Sequence, residues 1–128
     1  MITLSLLQYL ADNGFGTVDK DLFWQKLSID KDGVFITDLG QAQTRGERRT
    51  QRYELYSRGK SDVDGYRRLK AIVDFLNGSY GTCSLPTCPL VPDSESYSNI
   101  TIMPLSTPTN IGEKNGRIIW SVTGKLVY

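Results

Sequence analysis

The chain contains no histidine, two cysteines and five prolines, and every proline lies beyond residue 85. Without histidine there is no Ser-His or Cys-His nucleophile, no HExxH zinc helix and no imidazole proton shuttle. Most familiar hydrolase designs are thereby excluded, and no enzymatic activity is expected. No apolar run approaches the roughly 20 residues of a membrane-spanning helix. The amino terminus also lacks a basic segment ahead of an apolar stretch, so a cytosolic chain without membrane contact is expected. Cys83 and Cys88 bracket Ser-Leu-Pro-Thr, but two thiols cannot close a four-ligand zinc site unless subunits share the metal. Free thiols are expected in a reducing compartment, with no metal and no cofactor.

What is present fits one domain of 128 residues, long enough to bury roughly two-thirds of its unfolded surface. The net charge is only +1, but its placement is uneven. Residues 1–39 hold six aspartates, among them Asp30, Asp32 and Asp38, against three lysines. Residues 40–58 hold five arginines against Glu47 and Glu54. Such asymmetry suits head-to-tail contact between identical subunits, or a basic strip facing an acidic partner or a nucleic-acid backbone.

Periodicity supplies the elements. Leu4, Leu7, Leu10 and Ala11 recur at helical spacing behind Thr3, a candidate N-cap, and Asn13-Gly14 stops a short, one-faced helix. Leu22–Leu27 and Val34–Leu39 have strand composition, and Asp30-Lys31-Asp32-Gly33 between them reads as a hairpin turn. Residues 40–50 hold one aliphatic side chain and are expected as a long, polar, mobile loop. Arg52–Arg58 alternates, with Tyr53 and Leu55 on one face and Arg52, Glu54, Tyr56 and Arg58 on the other. Ser61 can cap a second helix, whose stripe is Val63, Tyr66, Leu69, Ile72, Val73 and Leu76. The Ser/Pro/Cys-containing stretch 79–98 reads as an insertion with a purpose of its own. Ile100–Met103 is a strand, and Asn115-Gly116 is a hairpin signal. Beyond it Ile118, Trp120, Val122 and Leu126 face one way while Ser121, Thr123 and Lys125 face the other. The order α-β-β-β-α-β-β implies an α+β fold: a mostly antiparallel sheet of four to five strands with two helices packed on one face.

Three short motifs imitate chemistry. Gly59-Lys60-Ser61 matches the tail of a phosphate-binding loop, but Glu54 stands where its first glycine belongs, so helix capping is the better account. Asp30-x-Asp32-Gly33 imitates a calcium loop, yet Ser28 and Leu39 occupy ligand positions, which favours a polar turn. The cluster Arg45, Arg48, Arg49 and Arg52 could touch phosphates, although near-neutral charge and the absence of a recognition helix weigh against a dedicated reader.

The pattern resembles the tail terminator family of long-tailed bacteriophages, also called minor capsid or tail completion proteins. The resemblance is sharpest where Tyr53-Glu54-Leu55-Tyr56-Ser57-Arg58-Gly59 runs into the helix Asp64–Asn77. It implies a structural subunit that forms a six-membered ring on the completed tail tube, stops tube polymerisation and joins tail to head. Its partners would be copies of itself, the tail tube protein and a head-completion or neck protein, with the tape-measure end and passing DNA in the lumen. Its place would be the virion, at the head-proximal end of the tail, after assembly in the host cytoplasm. The resemblance gives Arg45, Arg48, Arg49 and Arg52 a subunit, tube or lumen contact. Asp30, Asp32 and Asp38 are the candidate acidic face opposite them. The competing readings are a head-completion or neck connector and a small nucleic-acid-binding module. A metal-dependent hydrolase on clustered aspartates ranks last.

Overall fold

The fold is described from a computed structural model, which describes residues 2–25, 31–43, 46, 48–79, 82–91 and 93–128. Nine elements follow one another: α1 (Ile2–Asp12), β1 (Leu22–Trp24), β2 (Gly33–Gln43), β3 (Arg49–Gly59), α2 (Asp62–Asn77), β4 (Thr82–Leu85), β5 (Tyr97–Ile102), β6 (Thr109–Lys114) and β7 (Arg117–Val127). The strands form one sheet in the order β1-β2-β3-β7-β5-β4, with β6 paired to the free half of β7. All pairings except β1 with β2 are antiparallel. The class is therefore α+β as expected, with two helices and seven strands among the described residues instead of four or five strands. The additional strands are β4 and β6, which the Ser/Pro-rich stretch and the link after Pro104 conceal in sequence.

The central ladder is β2-β3-β7. Its cross-strand files Val34, Ser57, Trp120 and Ile36, Leu55, Val122 face the helices, and α1 and α2 pack on this side over Tyr53, Leu55 and Val122. One contact sets the spacing. Tyr53 lies opposite Gly124, and a Cβ on that glycine would sit 2.4 Å from the tyrosine ring. The ring fills the space a side chain would take, and it is fully buried.

The second helix meets its expectation closely. Ser61 accepts a hydrogen bond from the Asp64 amide, while Leu69, Ile72, Val73 and Leu76 are buried. Val63 departs from the stripe and is exposed, whereas Tyr66 packs edge-on against Trp120 at 5.0 Å between ring centres. Gly65 lets this end approach: its Cβ position lies 3.3 Å from the Trp120 ring.

Four local expectations are corrected. First, Thr3 is not an N-cap but a buried residue inside α1, and the helix is not one-faced, since every residue from Ile2 to Leu7 is buried. It is clamped between the sheet and the chain around Glu95, where the Ser5 hydroxyl donates to the Glu95 carbonyl at 2.9 Å. Second, β1 and β2 form no hairpin: they run parallel, with Leu22 opposite Val34. Gly33 serves a close approach, a Cβ there meeting the Asp21 carbonyl oxygen at 2.5 Å, and the Val34 amide donates to that same oxygen at 2.8 Å. Third, the expected loop at 40–50 is strand at Gly40–Gln43 and again at Arg49–Thr50. Backbone pairing of β2 with β3 continues through polar residues because a ladder needs amides, not apolar side chains. Fourth, the described residues of the 79–98 stretch are built into the fold. It supplies β4, Leu85 and Cys88 enter the core, and Ser94 Oγ bonds both the amide and the carbonyl of Cys88. Cys83 and Cys88 are free thiols, and burial raises the pKa of Cys83.

Two substitutions test the central contact. Gly124→Ala is expected to destabilise the protein by about 1–3 kcal/mol through overpacking, read as a lowered urea midpoint. The Tyr53 hydroxyl is buried without a partner among the described residues. Tyr53→Phe is accordingly expected to hold or raise stability, by up to about 1 kcal/mol, and a clear loss would show that the hydroxyl is satisfied.

Candidate functional site

The face of the sheet away from the helices is where the side chains of residues 52, 54, 56 and 58 emerge. Alternation along β3 sends Arg52, Glu54, Tyr56 and Arg58 there, and the register sets them beside Lys125, Thr123, Ser121 and Ile119 of β7. The upper part is internally satisfied. Phe23 and Phe35 stack at 5.0 Å and are buried. The Arg58 guanidinium lies 5.1 Å from the centre of the Phe35 ring and donates through Nε and Nη2 to the Lys31 carbonyl. Glu54 is also occupied, accepting from the Tyr56 hydroxyl at 2.6 Å and the Ser121 hydroxyl at 2.5 Å. Burial, then the Glu54 hydrogen bond and charge, pushes the Tyr56 pKa up to about 12.

The lower part is different. Arg52 lies directly opposite Lys125, an arrangement of like charges that costs stability. Neither cation pairs with an acid among the described residues, whose ion pairs are Lys70–Asp74 and Arg117–Asp32. The two cations line a concavity of about 300 Å³ with Thr123, Leu39, Met103 and Pro104. Its walls are built by backbone irregularity. A bulge between Asp38 and Gly40 leaves Leu39 without a register partner, and bulges re-aim side chains in this way. The Met103 amide donates to the Lys125 carbonyl at 3.0 Å, which sets that residue at the rim.

The arginine cluster of the sequence is thus divided. Arg45 lies outside the described residues. Arg48 is a fastener: its Nη2 reaches the carbonyls of Asn99 and Val127 and the Thr101 hydroxyl at 3.2–3.4 Å, joining the ends of β5 and β7. Arg49, exposed, alternates to the face opposite Arg52 and pairs through its backbone with Tyr128. Arg52 alone of the described cluster reaches the concavity. The acidic set is divided too. Asp30 lies outside the described residues. Asp32 bonds Arg117 Nε at 2.6 Å, whereas Asp38, on the helix side of β2, accepts from the Thr3 hydroxyl and the Gln25 amide nitrogen. Six residue steps along the strand set them about 20 Å apart, so they form no common face. Lys125 and Met103, which the concavity needs, were visible as residues but not as neighbours: only the β3–β7 register puts Lys125 against Arg52.

Among the described residues no three acidic or thiol side chains gather as a metal site, and no helix is long and apolar enough to cross a membrane. Lys60 and Ser61 lie at the start of α2, where Ser61 is the cap. No protein-family model matches this chain, and no curated protein matches it significantly.

Two outcomes follow. Arg48→Ala is expected to cost about 1–2 kcal/mol by stripping charged hydrogen bonds from the strand ends, while Arg52→Ala is neutral or slightly stabilising because it relieves a like-charge pair; thermal denaturation of both separates the roles. Tyr56, held neutral in the fold, contributes stability that is complete below about pH 10 and is lost as pH rises towards its folded pKa of about 12. Wild type is therefore expected to lose stability more steeply than Tyr56→Phe between those pH values.

Proposed function

We propose that the protein is a structural subunit that assembles as a ring and caps the end of a bacteriophage tail tube, stopping tube growth and presenting the surface that joins tail to head. The observation that carries this reading is the open sheet face, which ends in a concavity holding Arg52 and Lys125 beside Leu39 and Met103, without a counter-charge among the described residues. Such a surface suits protein contact better than chemistry: cations opposite one another need an acidic partner, and exposed Leu39 and Met103 supply apolar area around them. The resemblance to tail terminators over residues 53–77 supplies the particular assembly. A head-completion or neck connector is the second reading, because it would use the same small α+β subunit and the same kind of face.

Negative-stain imaging of the purified protein mixed with assembled tail tubes decides between them. The expected result is a ring on one tube end and tubes of fixed length when the protein is present during polymerisation. Absence from tube ends at every concentration would end the terminator reading, and binding to head or neck particles alone would assign it to the connector class.

A further inference from the structure

The concavity at Arg52 and Lys125 has a counterpart on the same molecule. On the helix side, α1 and the turn that follows it form a broader groove of about 630 Å³, lined in part by Asp12, Asp19, Pro89 and Leu90. Leu90 is 57% exposed. Asp19 makes no side-chain hydrogen bond or ion pair among the described residues, and Asp12 accepts only from Gln8 at 2.8 Å. Lys20 is the one cation in this groove. Of the five large apolar side chains exposed among the described residues, Leu39 and Met103 wall the basic concavity and Leu90 stands in the acidic groove.

The geometry points to a second copy of this chain as the occupant of the basic concavity, with its Asp12 and Asp19 against Arg52 and Lys125 and its Leu90 against Leu39 and Met103. Charge is complementary, and each patch sets an exposed apolar side chain beside its charges, the composition that a protein contact uses at core and rim. The two patches lie on different sides of the sheet, one on its open face and one beyond α1. The contact is therefore heterologous, and repeating it generates a closed ring or an open filament according to the rotation between neighbours. This deepens the ring reading and rests on its premise of self-association, but it does not need the tail tube. A nucleic-acid backbone is the less fitting occupant, since the concavity offers two cations beside exposed Leu39 and Met103 and no aromatic side chain among its lining residues as a platform for bases.

Sedimentation velocity over a concentration series tests the contact, with three proteins: wild type, Arg52→Glu/Lys125→Glu and Asp12→Lys/Asp19→Lys. All four positions are exposed, and circular dichroism with thermal melts establishes that each variant is folded; Arg52→Gln/Lys125→Gln replaces the first variant if it is not. Wild type is expected to self-associate, less so at high salt, and each variant to associate roughly tenfold more weakly or worse. An equimolar mixture of the two variants is expected to regain association, because it restores native contacts in one direction and charge-swapped contacts in the other. No association of wild type up to about millimolar concentration overturns the proposal, as do variants that associate like wild type. Loss confined to the basic-side variant overturns the acidic groove as occupant. Binding of a single-stranded oligonucleotide that Arg52→Glu/Lys125→Glu abolishes, without self-association, reassigns the concavity to phosphates. Failure to cap tubes with the charge-dependent association intact would sink the tail reading and leave this contact standing.

Discussion

The contact of Tyr53 with Gly124 at the centre of the sheet is the constraint on which the rest of this structure depends. It lies where β3 and β7, two of the three 11-residue strands, pair under the helices. A glycine there lets an aromatic ring lie flat over the neighbouring strand, and the ring then becomes the floor on which the helices rest. Since the side-chain period of a strand is two, fixing Tyr53 inward also fixes which residues of β3 face outward. Arg52, Glu54, Tyr56 and Arg58 are on the open face because Tyr53 and Leu55 cannot be. The exposed surface chemistry is thus set by a packing requirement on the other side of the sheet.

That coupling explains what was legible in the sequence. Alternation in 52–58 and 118–126 gave the two faces correctly, and the helical stripe of 66–76 gave α2, because in both cases one buried face imposes its period on the chain. Elements without that imposed period were read poorly. The helix α1 is buried nearly all round, so its pattern does not reveal how many neighbours it has. β6 is exposed at every position and shows no alternation at all. Asp32-Gly33 has the composition of a hairpin turn, yet it allows the backbone to approach Asp21 in a parallel pair. Composition there specifies a permissive backbone and not what the permission is used for.

The same distinction governs the charged residues. Proximity along the chain grouped Arg45, Arg48, Arg49 and Arg52, but residues 48, 49 and 52 belong to three environments: a fastener between strand ends, the helix side, and the open face. Register produced the grouping that sequence could not, by bringing Lys125 from 73 positions away. Asp32 and Asp38 share no face for the complementary reason, since both are engaged by internal partners. A charge cluster in sequence is a statement about composition; a charge cluster on a surface requires both a common face and the absence of an internal counter-charge.

On that second criterion the two halves of the open face separate. At its upper end each cation has work inside the molecule, Arg58 on Phe35 and the Lys31 carbonyl, and Glu54 is held by two hydroxyls. At its lower end two cations stand opposite each other with no acidic partner among the described residues. Opposed like charges are a cost to the isolated subunit, whereas the same pair against carboxylates is a gain in contact and in orientation. A surface that weakens the monomer slightly and rewards a particular neighbour favours assembly over persistence as free subunits. In the contact proposed above, the acidic patch lies beyond α1 and the basic one on the open sheet face, so satisfying one subunit would leave the next patch exposed and only closure of a ring would end the series.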